Sequence, residues 1–201
     1  MRYCDELKND MEKCMLKRKN NLWLILSVLL CFGLACNLGD QTDEANKFVG
    51  EANTLISQSN EKTLKANALF TELLGSLSAV DNLEAHKKNN KAKFDELIGL
   101  YEQIEKSGSE VVTKFESASK LKVGEQYKKY LDAKLLELKK RVESDKTSAP
   151  FVKSFLETKD VDKVNKLIDD YNAKTEADSR EADELMKKAD LIAKENPDKI
   201  K

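Results

Sequence analysis

Residue types that could do chemistry are present in this chain, but their spacing suits few reactions. The 201 residues include 36 acids and a single histidine, His86. A di-iron carboxylate bundle needs Glu and His three residues apart on facing helices, whereas Glu84, the acid nearest before His86, is two residues away. Adjacent acids such as Asp169 and Asp170 face different sides of a helix, and the glycines are solitary, so neither an acid–base pair nor a phosphate-binding loop is indicated. We therefore predict no catalytic residue, no cofactor and no metal site, and hence no enzyme.

The cysteines point to export instead. All four lie within the first 36 residues, the last being Cys36. An uncharged apolar stretch of 15 residues runs from Leu22 to Cys36 and follows three basic residues at 17–19. This stretch is shorter than the roughly 20 residues that cross a bilayer as a helix. A basic start, an apolar core and a small final residue, here Ala35, are typical of a secretory signal peptide, so we predict that residues 1–35 are a leader removed after Ala35.

The four residues Gly33-Leu34-Ala35-Cys36 resemble the lipobox of bacterial lipoproteins. The resemblance implies that Cys36 receives a diacylglyceryl group through a thioether and becomes the new N-terminus. No cysteine follows Cys36, so no thiol would remain to mispair in an oxidising compartment. Asn37 is not the Asp that keeps some lipoproteins in the inner membrane, which favours the outer membrane or the cell surface in a Gram-negative host. The alternative is an uncleaved signal anchor with an unmodified Cys36.

The leader also indicates where the translated chain and the folded domain begin. Residues 1–14 contain four acids, which is unusual ahead of a signal peptide. We therefore expect the true start to be Met15. Residues 36–42 are mostly polar and are predicted to be a tether, and residues 43–196 are predicted to form the folded domain.

The exported part is highly charged but nearly neutral. Subtracting the 6 basic and 4 acidic residues of the leader from totals of 35 and 36 leaves 29 basic and 32 acidic residues, a net charge of −3. Such a balance lacks the cationic field of a nucleic-acid-binding protein, so no nucleic acid is expected as a partner. Two prolines and 7 glycines are too few for the frequent turns of an all-β fold. We predict an all-α protein.

Helical periodicity is the strongest pattern in the sequence. Apolar residues recur at alternating steps of four and three over residues 42–80, which predicts one long helix. The same pattern begins after Asp160, its predicted N-cap, and continues to about residue 196, ahead of Pro197.

Two further helical segments are predicted between these. One covers about 83–106 and the other about 110–145, with a link at Ser107-Gly108-Ser109 and a kink or break at Gly124. A short helix is expected to follow as far as Leu156. Four helices with short links and one apolar face each predict an elongated up-down-up-down four-helix bundle. A long antiparallel coiled coil is the alternative.

The first and last apolar stripes are both interrupted by polar residues near their middle. The interruptions are Ser59 and Thr63 in the first helix and Thr175 and Asp178 in the last. If these helices pack against each other, the four residues meet at one level of the bundle. This level is interpreted either as a ligand or ion pocket or as a small polar layer that fixes helix register.

Basic and aromatic residues offer weaker signals. The basic stretches 87–91 and 139–141 could contact anionic lipid, cell-wall polymer or nucleic acid, but Glu137 lies four residues before Arg141 and can neutralise it along the helix. We therefore interpret both stretches as solvated helix faces, and His86 as an exposed residue at a helix start. The tyrosines could line a ligand site or belong to the core; they are Tyr101, Tyr127, Tyr130 and Tyr171.

These patterns lead to two expectations for function. The first is a non-catalytic envelope lipoprotein, attached to the membrane through Cys36, whose bundle contacts an unidentified protein or envelope polymer. The second is a ligand-sensing extracytoplasmic bundle on an uncleaved signal anchor, by analogy of architecture alone. The oligomeric state does not follow from the sequence.

Overall fold

The structure is a computed structural model that describes residues 39–75, 77 and 82–200. Within this part of the chain there are six helices and no β-strand, which confirms the all-α prediction. The helices are α1 (Thr42–Gly75), α2 (Leu83–Asn89), α3 (Lys91–Ser119), α4 (Glu125–Asp145), α5 (Ser148–Glu157) and α6 (Val161–Glu195). The predicted leader, the start at Met15 and the cleavage site between Ala35 and Cys36 lie outside the described residues.

Helix α3 runs antiparallel to α1 along most of its length. Lys114 Nζ lies 2.6 Å from Glu51 Oε2 near one end of the pair, and Lys93 pairs with Glu72 near the other. Residue numbers therefore rise along one helix as they fall along the other. The two helices form the first hairpin of the bundle.

Helices α4 and α5 together form the third rod. Lys139 on α4 lies 2.7 Å from Glu116 on α3, and Lys153 on α5 lies 2.7 Å from Glu102 further along α3. The chain thus passes through α4 and then α5 in the direction opposite to that of α3.

Helix α6 completes the bundle by packing against α4. The two run antiparallel, because Leu131 and Ala189 belong to one apolar cluster while Lys140 lies 3.1 Å from Asp178. Helix α6 also runs antiparallel to α1, because the Phe70 and Tyr171 rings lie 6.1 Å apart, while Ala45 and Ile192 belong to one apolar cluster at the opposite end. The four rods therefore alternate in direction, as the prediction of an up-down-up-down bundle requires.

Two apolar clusters fill the bundle, one towards each end. We call the end that holds residues 39–42, 120–124 and 196–200 the base, and the end that holds α2 and the α5–α6 link the tip. The base cluster includes Ala45, Ala52, Val111, Phe115, Ala118, Tyr127, Leu131 and Ala189. The tip cluster includes Leu73, Phe94, Leu97, Tyr101, Phe151, Phe155, Ile168 and Tyr171.

Side chains cap two of the helices at their N-termini, and the cap at Asp160 was predicted from the sequence. Asn82 accepts a hydrogen bond from the Ala85 amide at 3.0 Å, and Asp160 accepts from the amides of Asp162 and Lys163 at 3.0 and 3.1 Å. Both are N-caps that satisfy amides without an intrahelical partner. The break at Gly124 is also confirmed, since α4 begins at Glu125.

Three boundaries differ from the prediction. The helix predicted over about 83–106 is interrupted at Asn90, which separates α2 from α3. The first helix was expected to reach residue 80, whereas α1 ends at Gly75; residues 76 and 78–81 lie outside the described part. The predicted link at 107–109 is wrong, because α3 continues through it without interruption. An added Cβ at Gly108 would lie 2.8 Å from Val142 Cγ2, so this glycine permits close helix packing rather than ending a helix.

Candidate functional site

The four residues of the predicted polar layer lie between the two apolar clusters. Ser59 and Thr63 are half-buried on α1, and Thr175 is half-buried on α6. Asp178, one turn further along α6, is buried with 5% of its surface exposed. On α1 and on α6, hydroxyl or carboxylate groups therefore interrupt the run of apolar core residues between the two clusters.

The threonine hydroxyls of this layer donate hydrogen bonds to their own helices. Thr63 Oγ1 donates to the Ser59 carbonyl at 3.0 Å. Thr175 Oγ1 donates to the carbonyls of Tyr171 and Asn172 at 2.9 and 3.1 Å. Such bonds satisfy a hydroxyl inside a helix without involving a neighbouring helix.

Asp178 pairs with α4 and with its own helix. Its Oδ1 lies 3.1 Å from Lys140 Nζ on α4, and its Oδ2 accepts from Lys174 Nζ at 2.8 Å, four residues earlier on α6. Each carboxylate oxygen of Asp178 is thus paired with one lysine ammonium. A buried carboxylate with two cationic partners holds α4 and α6 in one register.

Lys140 connects Asp178 to further acids. Its ammonium lies 3.0 Å from Glu181 and 3.3 Å from Glu143. Hydrogen bonds to Glu181 and Asp178 raise the pKa of Lys140 above its ordinary value, although partial burial opposes them. This lysine is therefore a cation throughout the neutral range and cannot act as a general base there.

The ionisation of Asp178 is set by two opposing effects. Burial alone would raise its pKa, but the hydrogen bonds and charges of Lys174 and Lys140 outweigh burial, so the pKa of Asp178 is lowered. A carboxyl with a lowered pKa carries no proton to donate at neutral pH. The arrangement favours a fixed ion pair over proton transfer.

A second group of ion-paired residues, centred on Glu137, lies on α4 beside the group formed by Lys140 and Asp178. Glu137 is 2% exposed, pairs with Arg141 on the next turn and lies 2.6 Å from Lys134 Nζ. Arg141 also reaches Asp183 on α6 at 3.2 Å. Burial disfavours the Arg141 cation, but Glu137 and Asp183 outweigh burial and raise the pKa of Arg141.

We call these two groups together the ionic cluster; its members are Lys134, Glu137, Lys140, Arg141, Glu143, Lys174, Asp178, Glu181 and Asp183.

The three basic side chains of residues 139–141 are therefore paired with acids of the same chain. Lys139 pairs with Glu116, and its two neighbours belong to the ionic cluster. This pairing removes much of the positive charge that an anionic partner would need.

The other basic stretch, 87–91, contributes to helix capping. Lys87 is 6% exposed, donates to the Thr158 carbonyl at the C-terminus of α5 and lies 5.1 Å from the centre of the Phe155 ring. A cation at a helix C-terminus satisfies a free carbonyl and interacts well with the helix dipole. Lys88 is exposed.

His86 is half-buried rather than exposed, so that expectation is wrong. Its Nε2 lies 2.9 Å from the Leu73 carbonyl in the last turn of α1, and Asn90 Nδ2 lies 3.3 Å from its Nδ1. The ring thereby joins α2 to the end of α1. Among residues 39–75, 77 and 82–200, no three His, Cys, Asp or Glu side chains are grouped closely enough to hold a metal ion.

The four tyrosines are buried in the bundle. Tyr171 stacks on Phe151 with ring centres 4.1 Å apart, and its hydroxyl lies 3.0 Å from Ser148 Oγ. Tyr127 donates to Asn46 Oδ1 at 2.5 Å and so links α4 to α1. Burial raises the pKa of Tyr130 to about 12, with the charges of Asp190 and Glu137 adding to the effect.

The sequence identifies Asp178 as a polar interruption but does not identify its partner on α4. The spacing of Lys174 and Asp178, four residues apart, is visible in the sequence as a helical ion pair. The contact between Asp178 and Lys140 depends on how α4 packs against α6, which periodicity does not specify. Comparison with known proteins identifies no relative, because no protein-family model, curated protein or solved structure matches the chain.

Proposed function

We propose that the mature chain is a non-catalytic envelope lipoprotein, acylated at Cys36, whose bundle contacts an unidentified protein or envelope polymer. The observation that carries this proposal is the sequence Gly33-Leu34-Ala35-Cys36 at the end of an apolar stretch. In a Gram-negative host the proposed location is the outer membrane or the cell surface.

The pairing of charges inside the bundle supports a structural role for its ionisable residues. Asp178, Lys140 and Arg141 have pKa values shifted towards their charged forms, which suits ion pairs rather than proton transfer near neutral pH. Among the described residues, none of the helices combines the length and the hydropathy that a membrane span requires.

Two cysteine variants test the attachment. With an alkyne-tagged palmitate in the growth medium, the Cys36→Ser variant should lose the label and accumulate as precursor, while Cys31→Ser should be labelled and processed normally. Cys31 is the matched control because it lies in the same apolar stretch, five residues earlier. Label retained on the Cys36→Ser protein would refute the proposal.

The single tryptophan provides an independent readout of cleavage. Trp23 is the only Trp in the chain and precedes Cys36, so a cleaved protein contains none. Protein purified from membranes should show tyrosine emission alone. Tryptophan emission would instead support an uncleaved anchor and the ligand-sensing alternative.

A further inference from the structure

The first described residues are joined to the turn between α3 and α4. The Gln41 amide donates to the Lys122 carbonyl at 2.7 Å, and the Lys122 amide donates to Gln41 Oε1 at 2.9 Å. Asp40 accepts from the Thr42 hydroxyl and amide at 2.6 and 2.9 Å. The chain therefore enters the bundle at a fixed point of the base.

The distance from this point to Cys36 is limited by covalent geometry. Five residue steps separate Cys36 from Gln41, and each spans at most about 3.6 Å, so Gln41 lies within roughly 18 Å of the cysteine in any conformation of the tether. The rod itself is much longer, since the 34 residues of α1 extend about 51 Å at ~1.5 Å per residue. A lipid on Cys36 would therefore lie near the base and could not approach the tip of an upright bundle.

The C-terminal segment lies at the same end. Ile200 packs against the base cluster, and its amide donates to the Asn196 carbonyl at 3.1 Å. The hydrogen bond and charge of Lys129 lower the pKa of Glu125 at the start of α4, and the charge of Lys199 adds a smaller effect. Three separate segments thus make up one end surface.

The base carries too little net charge for strong electrostatic attraction to anionic lipid. Within residues 39–42, 120–124 and 196–200, three exposed bases accompany two exposed acids, a net charge of +1. The bases are Lys120, Lys122 and Lys199, the acids are Asp40 and Asp198, and the residues immediately beside these ranges add the exposed acids Asp43, Glu44, Glu125 and Glu195 and the exposed base Lys194. Polybasic segments bind anionic bilayers because several Lys or Arg side chains approach the surface together. The short tether, and not charge, would have to hold this end at a membrane.

We propose that the base of the bundle is the surface that faces the bilayer, held against the lipid headgroups by the short tether whatever their charge, with the tip directed away from them. This inference rests on the proposed acylation of Cys36. An extracytoplasmic partner would then bind at the tip or along the parts of the helices far from the bilayer, and not at the base.

Three single-cysteine variants of the full chain test the arrangement. Acylated Cys36 has no free thiol, so Lys122→Cys or Lys199→Cys at the base and Lys88→Cys at the tip each give one site for a fluorophore; all three lysines are exposed. Each protein is purified from membranes with its lipid and placed in vesicles that carry a nitroxide on a fraction of the headgroups. One set of vesicles is phosphatidylcholine alone, and the other contains phosphatidylglycerol as well.

Quenching at the two base sites should exceed quenching at the tip site about threefold or more, because the sites are separated by most of the length of the rod. The ratio should be the same in both kinds of vesicle. Equal quenching at base and tip would overturn the proposal, since the bundle would then lie flat. Base quenching that appears only with phosphatidylglycerol would also overturn it, because charge would then replace the tether.

A longer tether provides the causal control. Inserting a flexible Gly/Ser segment of about 20 residues between Leu38 and Gly39 adds a root-mean-square reach of roughly 25 Å. Quenching at the Lys122→Cys site should then fall at least about twofold; unchanged quenching would contradict a role for the tether. Protein that lacks the acyl mass and does not float with vesicles would refute the lipid anchor itself, and this result is distinct from either outcome of the quenching experiment.

Discussion

Gly108 on α3 and Val142 on α4 are in such close contact that a side chain at position 108 would displace its neighbour. A Cβ built on Gly108 lies 2.8 Å from Val142 Cγ2. Valine is branched at Cβ and has one strongly preferred side-chain rotamer in a helix, so it has little freedom to move away. The contact joins the second and third rods near the level where the two apolar clusters are separated.

Substituting Gly108 with alanine should therefore destabilise the bundle. Overpacking costs about 1–3 kcal/mol, and the better helix propensity of alanine returns about 1 kcal/mol. The expected net loss in the free energy of unfolding is up to about 2 kcal/mol. Urea denaturation followed by circular dichroism measures it.

Gly99 is the matched control on the same helix. No atom lies within 4 Å of a Cβ built there, so Gly99→Ala should stabilise the protein by up to about 1 kcal/mol. Adding Val142→Ala to Gly108→Ala should recover part of the loss from the clash. Equal effects of the two glycine substitutions would show that the contact does not constrain position 108.

The charge of Asp178 should contribute stability only above acidic pH. Its pKa is lowered in the folded protein, so its contribution is present above the unfolded-state pKa of roughly 4 and is lost as the pH falls through the lower folded-state pKa. Asp178→Asn should destabilise the protein at neutral pH, and the difference from wild type should shrink below about pH 4. Denaturation at a series of pH values tests this dependence.

An exposed acid on the same helix is the control for this substitution. Asp169 is exposed on α6, so Asp169→Asn should change stability by less than about 0.5 kcal/mol. If Asp178→Asn had the same effect as the control at every pH, the ion pairs with Lys140 and Lys174 would contribute nothing to folding. If Asp178→Leu raised stability, the polar layer would serve register at a cost in stability.

Buried tyrosines should make the bundle sensitive to alkali. Burial raises the pKa of Tyr127, with a contribution from Tyr130, and raises that of Tyr130 to about 12. Because the folded-state values are raised, this stability is complete below the unfolded-state pKa of about 10 and is lost as the pH rises above it. Phenolate absorbance of the folded protein should lag behind that of the denatured protein, and Tyr130→Phe should reduce the late-titrating part. Coincident titration curves would contradict burial of these hydroxyls.

Replacing Lys87 should lower the free energy of unfolding, whereas replacing its neighbour Lys88 should have little effect. Lys87→Met leaves the Thr158 carbonyl without its ammonium donor and should cost about 1–3 kcal/mol. Lys88→Met, at an exposed position, should change the free energy of unfolding by less than about 0.5 kcal/mol. Thermal unfolding of the two variants compares them, and equal melting temperatures would contradict the capping role.

The rods, their order and their N-caps could be predicted from the sequence because these features are local. Periodicity depends on residues three and four apart, and Asp160 caps amides two and three residues after it. The prediction of a link at Gly108 is wrong because a glycine that ends a helix and one that permits close packing look alike in a single sequence. Only the position of Val142 on the neighbouring helix separates the two cases.

The candidate site was predictable to a smaller extent. A polar interruption at Asp178 is visible in the apolar stripe, but the sequence places its partner Lys140 on a solvated face because the contact spans two helices. The sequence places Lys87 on a solvated face for the same reason, since its acceptor, Thr158, is 71 residues away. Long-range polar contacts depend on the packing angle and offset of the rods, and the spacing of apolar residues specifies neither.

The intact mass of the protein extracted from membranes tests the lipid attachment most directly. We predict a chain that begins at Cys36 and carries additional acyl mass at its N-terminus. An unmodified precursor that retains residues 15–35, or a cleaved chain without acyl mass, would contradict the account.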